Sequence, residues 1–166
     1  MSRLSLAIDR IEQARKITRS LVDTVDPAQW FTMPAGCPSN VGWQLGHIAV
    51  SSYGLCLVAL RQMQPEDSEL FSRDLRRNYG RGTTPQSDSA ANSSPEELLA
   101  AYSAVHEKFL SEISSYKEED LVEPMEKPHP LFSTRLEAIE FASTHEALHA
   151  GQIGLIRRML GADPLR

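Results

Sequence analysis

The chain has 166 residues, a net charge of −5 at pH 7 and 23% charged residues, which predicts one soluble globular domain over residues 1–166. The acidic balance and the lack of a long lysine or arginine cluster argue against nucleic-acid binding. We find no signal peptide and no apolar run long enough to cross a bilayer, so we expect a cytoplasmic protein without membrane contact. Two cysteines, Cys37 and Cys56, are too few for a disulfide framework, and we expect both to be reduced.

The first half of the chain predicts two long helices. Apolar residues at helical spacing indicate a helix from Ser5 to Val25. A second helix should begin at Ser39 or Asn40, either of which can cap it, and run to about Gln62. That helix is apolar or small on nearly every face, so it should be buried on most sides, and its glycines permit close approach of a neighbour or a ligand.

The second half predicts two more helices after a long polar connection. Gln64–Ser93 reads as a functional or mobile loop with a short helical turn around Ser68–Arg77. Ser94-Pro95-Glu96-Glu97 starts a helix that should reach about Ser115, and Thr134-Arg135-Leu136-Glu137 starts a last helix that ends at Leu160. No alternating strand pattern is visible. Four long helices predict an all-α four-helix bundle with a long connection between helices 2 and 3.

Three histidines form the main functional signal. His145 and His149 are one turn apart on the last helix, on the stripe expected to face the core, so their imidazoles can reach one metal ion. His47 lies in the apolar second helix. Three neutral imidazoles with one open position would make a catalytic type of metal site. His106 and His129 are interpreted as a helix-surface residue and a loop residue.

Two other interpretations compete with the metal site. A buried histidine is often a hydrogen-bonded core residue, although a pair at i and i+4 on an apolar face is harder to explain that way. His145-Glu146-x-x-His149 also matches the zinc proteases, in which the glutamate is the general base. The metzincin extension would need Gly at Gln152 and His at Leu155, so a protease is disfavoured.

The two histidine motifs together resemble the DinB/YfiT-like superfamily. They read Trp43-Gln44-Leu45-Gly46-His47-Ile48-Ala49 and His145-Glu146-x-x-His149-Ala150-Gly151-Gln152-Ile153. The resemblance implies a four-helix bundle, often arranged up-down-down-up and frequently a homodimer. It also implies that His47, His145 and His149 bind a divalent metal, often zinc or nickel. Characterised relatives include bacillithiol S-transferases and mycothiol-dependent maleylpyruvate isomerase.

The first functional hypothesis is therefore a metal-dependent transferase or hydrolase. The metal would activate water or a low-molecular-weight thiol, and the nucleophile would attack a small-molecule electrophile. Glu146 is a weak candidate for proton transfer, and exposure to solvent or a structural salt bridge is its preferred interpretation. Gln152 is on the histidine face and could bind a ligand, whereas Trp43 and Tyr53 are weak pocket candidates expected mainly to pack.

Two alternatives do not require turnover. The protein could be a non-catalytic metal-binding or stress-response scaffold, in which the metal holds the second and last helices together. It could also be a metal-free bundle that dimerises or binds a partner. The residues do not choose among zinc, nickel, copper and iron, since imidazole suits all four.

Overall fold

Side-chain caps fix where the long helices begin in the computed structural model, which describes residues 2–165 apart from the side chain of Pro128. The Asn40 side chain accepts the backbone N–H of Trp43, and Ser94 and Thr134 each form the predicted capping box. The helices are α1 (Arg3–Val22), α2 (Val41–Arg61), α3 (Arg73–Tyr79), α4 (Pro95–Ile113), α5 (Glu118–Leu121) and α6 (Arg135–Met159). Single 3-10 turns cover Pro27–Gln29, Pro65–Glu69 and Ser89–Ala91. The structure is thus mostly helical, as predicted, with helix ends shifted by up to three residues.

The helix α2 contains a wide turn that the sequence does not predict. Residues Val41–Ser52 are α-helical, Tyr53–Val58 form a π-helical segment, and Ala59–Arg61 return to α-helix. By length and composition alone, Val41–Arg61 is apolar enough to cross a membrane, contrary to the sequence interpretation. More than half of it is buried inside the protein, which is what the core helix of a soluble protein shows.

A small hairpin lies where a proline-rich loop was expected. Strand β1 (Pro124–His129) pairs antiparallel with β2 (Phe132–Thr134), and β2 leads directly into α6. The expectation of no strand was therefore wrong. Proline lacks a backbone N–H, but a two-stranded hairpin loses few ladder hydrogen bonds to it, so the prolines are compatible with this hairpin. In the sequence they indicate a loop.

The polar segment between α2 and α4 is ordered against α2 rather than a structureless loop. Tyr79 at the end of α3 is fully buried. A Cβ atom at Gly46 would lie 2.5 Å from Tyr79 Cδ1, and one at Gly42 would lie 2.2 Å from Phe31 Cε1. These two glycines therefore admit neighbouring aromatic rings, which is one of the two roles predicted for them.

Two apolar clusters divide the interior along the helices. One joins the first half of α2 to the start of α4 and the end of α6, and the other joins the second half of α2 to the end of α4 and the start of α6. Between Ala142 of one cluster and Ile153 of the other, α6 carries its histidines and Glu146. The functional candidates on α6 thus lie between the segments that belong to the two apolar clusters.

Candidate metal centre

The structure brings His47, His145 and His149 together. One ligand nitrogen from each ring lies within 4.8 Å of the other two. The ring centroids are 5.3 Å apart for His47 and His145, 4.7 Å for His47 and His149, and 4.5 Å for the pair on α6. His47 is buried and the other two are half-buried, so the cluster sits at the edge of the core with one side toward solvent.

A backbone carbonyl fixes the tautomer of His47. Its Nδ1 lies 2.8 Å from the carbonyl oxygen of Tyr79, and a carbonyl only accepts hydrogen bonds. The proton must therefore be on Nδ1, which leaves the lone pair on Nε2. Metal-binding histidines are commonly oriented in this way, by a carbonyl or carboxylate on the nitrogen that faces away from the metal.

The side chain of Gln44 determines the tautomer of His149 in a similar way. Its Oε1 lies 2.5 Å from His149 Nδ1, while its Nε2 donates to Ser39 Oγ at 2.8 Å. An amide oxygen only accepts hydrogen bonds, so His149 Nδ1 donates to Oε1 in this arrangement. The lone pair of His149 is then on Nε2. Sequence reasoning missed Gln44, although it stands three residues before His47 in the same motif.

Burial keeps the three rings neutral. It lowers the pKa of His145 to about 4, with the neighbouring His149 and His47 as smaller contributions. Burial likewise lowers the pKa of His149 to about 4 and lowers that of His47, where the hydrogen bond to Tyr79 opposes the effect. Neutral imidazole is the form that binds a metal.

The residues present fit a divalent cation. Two nitrogens about 2.0–2.1 Å from one tetrahedral ion are about 3.4 Å apart, so small side-chain rotations would close the cluster around it. The donor set is three imidazoles, which suits zinc, nickel, copper or iron. The geometry and the protonation state therefore agree with a candidate metal site at the predicted residues.

Aromatic rings flank the cluster on two sides. Trp43 stacks on His47 with centroids 4.8 Å apart and meets His149 edge-on at 6.5 Å. Phe141 lies 6.1 Å from His145 on the other flank. Trp43 is thus a wall of the site as well as a packing residue, while its indole N–H donates to Thr83 Oγ1 at 3.0 Å. Gln152 is exposed, and it acts to raise the pKa of His149 against the effect of burial.

Three other residues named from the sequence lie outside the cluster. Tyr53 is buried and donates to Asp67 Oδ2 at 2.9 Å, so it packs the segment after α2. His106 is half-buried, not on the surface as expected, and pairs with Glu12 at 2.7 Å. His129 stacks on Phe132 in the hairpin, at a centroid distance of 4.4 Å.

The expected orientation of α6 needs a correction. The sequence predicted that the histidines lie on the core stripe and that Glu146 either faces solvent or forms a structural salt bridge. Glu146 is instead 2% exposed, whereas the histidines are at the margin of the stripe. Tyr102 donates to Glu146 Oε1 at 2.5 Å, and Arg15 lies 3.8 Å from Oε2. Glu146 thus forms a buried salt bridge, and burial raises its pKa.

The cluster opens on the protein surface. A cavity of about 900 Å3 lies near the end of α2, the hairpin and the start of α6, lined by residues that include Arg61, Gln62 and Arg135. The histidines do not line that cavity. Because His145 and His149 are half-buried, a ligand would reach the cluster from their solvent-facing side.

These features define a class: a mostly helical protein whose second and last helices carry a candidate three-histidine metal site. The model of the DinB superfamily matches residues 10–153, and the chain belongs to that superfamily. Its fold is similar to that of a conserved protein of a locus from Enterococcus faecalis, known from a crystal structure. The TM-score is 0.75 at 23% identity, over 98% of this chain and 99% of the other. Among curated proteins, no significant match was found.

Proposed function

We propose that the protein is a divalent-metal-dependent enzyme of the DinB type, with thiol-transferase or hydrolase chemistry at His47, His145 and His149. The observation that carries the proposal is the arrangement of two Nε2 lone pairs, fixed by Tyr79 and Gln44, beside a third neutral ring. A bound zinc or nickel ion would lower the pKa of water or of a low-molecular-weight thiol and so supply a nucleophile at neutral pH.

The chain's own residues would bind and orient the reactants. Three protein ligands leave a corner for an exogenous donor. Trp43 and Phe141 flank the cluster, so they would contact the apolar part of a small-molecule electrophile. Glu146 makes its hydrogen bond and its ion pair away from the histidines, so we assign it a structural role and no proton transfer.

Elemental analysis tests the metal centre. The purified wild type should carry close to one zinc or nickel per chain, and His149→Ala should lose it. The matched control is His129→Ala, because His129 lies in the hairpin outside the cluster and its loss should leave the metal in place. Equal trace metal in all three proteins would remove the basis for the enzyme. If metal is present, low-molecular-weight thiols are then screened with halide, epoxide and activated-alkene electrophiles.

A non-catalytic scaffold is the second candidate, favoured by one observation. The cluster joins α2 to α6, so a cation there would hold two core helices together. This version predicts a large rise in Tm on metal binding and no turnover with any thiol and electrophile pair. The enzyme predicts turnover that is lost in His149→Ala.

We also propose the up-down-down-up arrangement for the four long helices. In its support, contacts between α1 and α6 advance together along both helices, from Arg3–Glu140 to Thr24–Arg157. Contacts between α1 and α4 run in opposite order, from Leu4–Glu118 just beyond the end of α4 to Arg15–Tyr102. Helices α1 and α6 then point the same way and α4 the opposite way. We further propose that the chain is a single cytoplasmic domain and that it forms a homodimer.

A further inference from the structure

The hydroxyl of Ser51 lies beside the candidate metal site, next to the nitrogen of His47 that would bind the ion. Its Oγ is 3.3 Å from His47 Nε2. Because the proton of this ring is on Nδ1, bonded to the carbonyl of Tyr79, Nε2 has only a lone pair. Ser51 must therefore donate its proton to the nitrogen that a metal would use.

Metal binding would take this acceptor away from the hydroxyl. A cation about 2.0–2.1 Å from Nε2 occupies the same lone pair. Ser51 follows His47 by four residues on α2, so it stays on the same face of the helix and cannot move far from the ring. It is half-buried, so its hydroxyl remains on the side from which solvent and ligands reach the cluster.

We infer that Ser51 is a ligand-orienting residue: once a cation is bound, its hydroxyl donates a hydrogen bond to the exogenous atom in the open corner. This inference rests on the proposed metal centre and deepens it. A thiolate is the ligand best served, since its sulfur accepts hydrogen bonds and the three neutral imidazoles add no negative charge that would repel it. The thiol binds as thiolate and its proton goes to solvent, so no other reactant is needed.

Cobalt-loaded protein provides the test, with 2-mercaptoethanol as the probe. Binding of the thiolate is followed by its charge-transfer absorption, and Co(II) affinity is measured separately by calorimetry. Ser51→Ala should bind Co(II) as well as wild type, because Ser51 is not a ligand in this proposal. It should bind 2-mercaptoethanol about tenfold more weakly, the effect of one hydrogen bond to a charged acceptor.

Two further variants separate orientation from structure. Ser51→Thr keeps the hydroxyl and should restore the affinity for 2-mercaptoethanol. Ser52→Ala removes the neighbouring hydroxyl on the same helix and should change neither constant. Equal thiol affinity in Ser51→Ala and wild type would overturn the inference, as would a loss of Co(II) affinity in Ser51→Ala that accounts for the whole effect. A wild type that binds no Co(II) would instead overturn the metal centre, and the role of Ser51 with it.

Discussion

Gln44 Oε1 and His149 Nδ1 are 2.5 Å apart, and this contact joins α2 to α6 at the candidate metal ligands. Gln44 is 3% exposed and is held in turn by Ser39, so the acceptor has little freedom to move. The same helix therefore supplies one candidate ligand, His47, and the hydrogen-bond acceptor that orients another, His149.

Gln44→Leu should weaken metal binding by about 10- to 100-fold, the usual effect of losing the hydrogen-bond partner of a ligating histidine. Calorimetric titration of the metal-free protein with Zn(II) measures this. Gln44→Glu keeps an acceptor at the same position and should retain the affinity. Gln13→Leu on the exposed side of α1 serves as the control. Unchanged affinity in Gln44→Leu would show that the contact does not orient the ring.

Glu146→Ala should destabilise the metal-free protein by about 3–5 kcal/mol, because it leaves buried Arg15 without its partner. Tyr102 would lose its acceptor as well. The free energy of unfolding from urea titration measures the change. The matched variant is Glu140→Ala, also on α6, whose partner Arg3 is solvent-exposed, and its effect should be much smaller. Similar losses in the two variants would contradict the structural role of Glu146.

The metal-free protein should lose stability as the pH falls from 6.5 to about 4. In the unfolded chain the histidines have a pKa near 6.5, whereas burial lowers the pKa of His145 and His149 to about 4 in the folded state. In that interval the unfolded state takes up protons that the folded state does not, so unfolding is favoured. The loss is fully developed below about pH 4 and absent above the unfolded pKa.

Urea unfolding at several pH values, with a chelator present, measures this dependence. The difference between the two pKa values, expressed as free energy, limits the effect of each histidine to roughly 3 kcal/mol, and solvent screening of these half-buried rings makes the effect smaller. His145→Gln should flatten the curve over the same interval. A wild-type curve as flat as that of the variant would show that His145 titrates normally in the folded protein.

Gly46→Ala should destabilise the protein and weaken metal binding together. The added methyl would meet the buried ring of Tyr79, whose carbonyl orients His47, and relieving that overlap costs about 1–3 kcal/mol. Gly54→Ala, on the same helix, adds a methyl in open space and should be neutral or stabilising by up to about 1 kcal/mol. Thermal unfolding and Zn(II) titration of the pair measure both effects. Normal Zn(II) binding by a destabilised Gly46→Ala would separate Tyr79 from the metal centre.

The homodimer remains a prediction, and α6 carries the surface that would test it. Leu148 and Leu155 are 63% and 59% exposed and lie two turns apart. If they are buried between two copies, Leu148→Glu with Leu155→Glu should give a monomer in sedimentation or light-scattering experiments. Leu131→Glu, at an equally exposed position in the hairpin turn, should not. A monomeric wild type at micromolar concentration would contradict the dimer.

Much of the fold could be predicted from local sequence signals. The capping residues Ser94 and Thr134 predicted the starts of two helices because their effect is confined to the first turn. The i,i+4 spacing of His145 and His149 predicted a pair on one helix face for a similar reason, whereas the addition of His47 to that pair rested on the family resemblance. These signals depend on a few neighbouring residues, so they can be recognised without knowing the tertiary structure.

What the sequence missed depends on contacts between elements. The roles of Gln44 and Tyr79 arise from partners on other helices, and no local pattern records them. Of the two interpretations of Glu146, the structural salt bridge agrees with the structure and exposure to solvent does not, because Arg15 and Tyr102 stabilise the carboxylate inside the protein. The hairpin was missed because its prolines indicate a loop and no alternation of apolar and polar residues marks its strands.

The π-helical segment Tyr53–Val58 sets the direction in which side chains of the second half of α2 project relative to those of the first half. Each α-helical residue turns the chain by about 100°, so removing one residue from the wide turn would swing everything after it to a new face. Arg61, which pairs with Asp67 and Glu112, would then point elsewhere, while His47 and Ser51 would keep their places. Insertions and deletions in this segment would therefore change the distal end of the helix without changing the candidate metal site that precedes it.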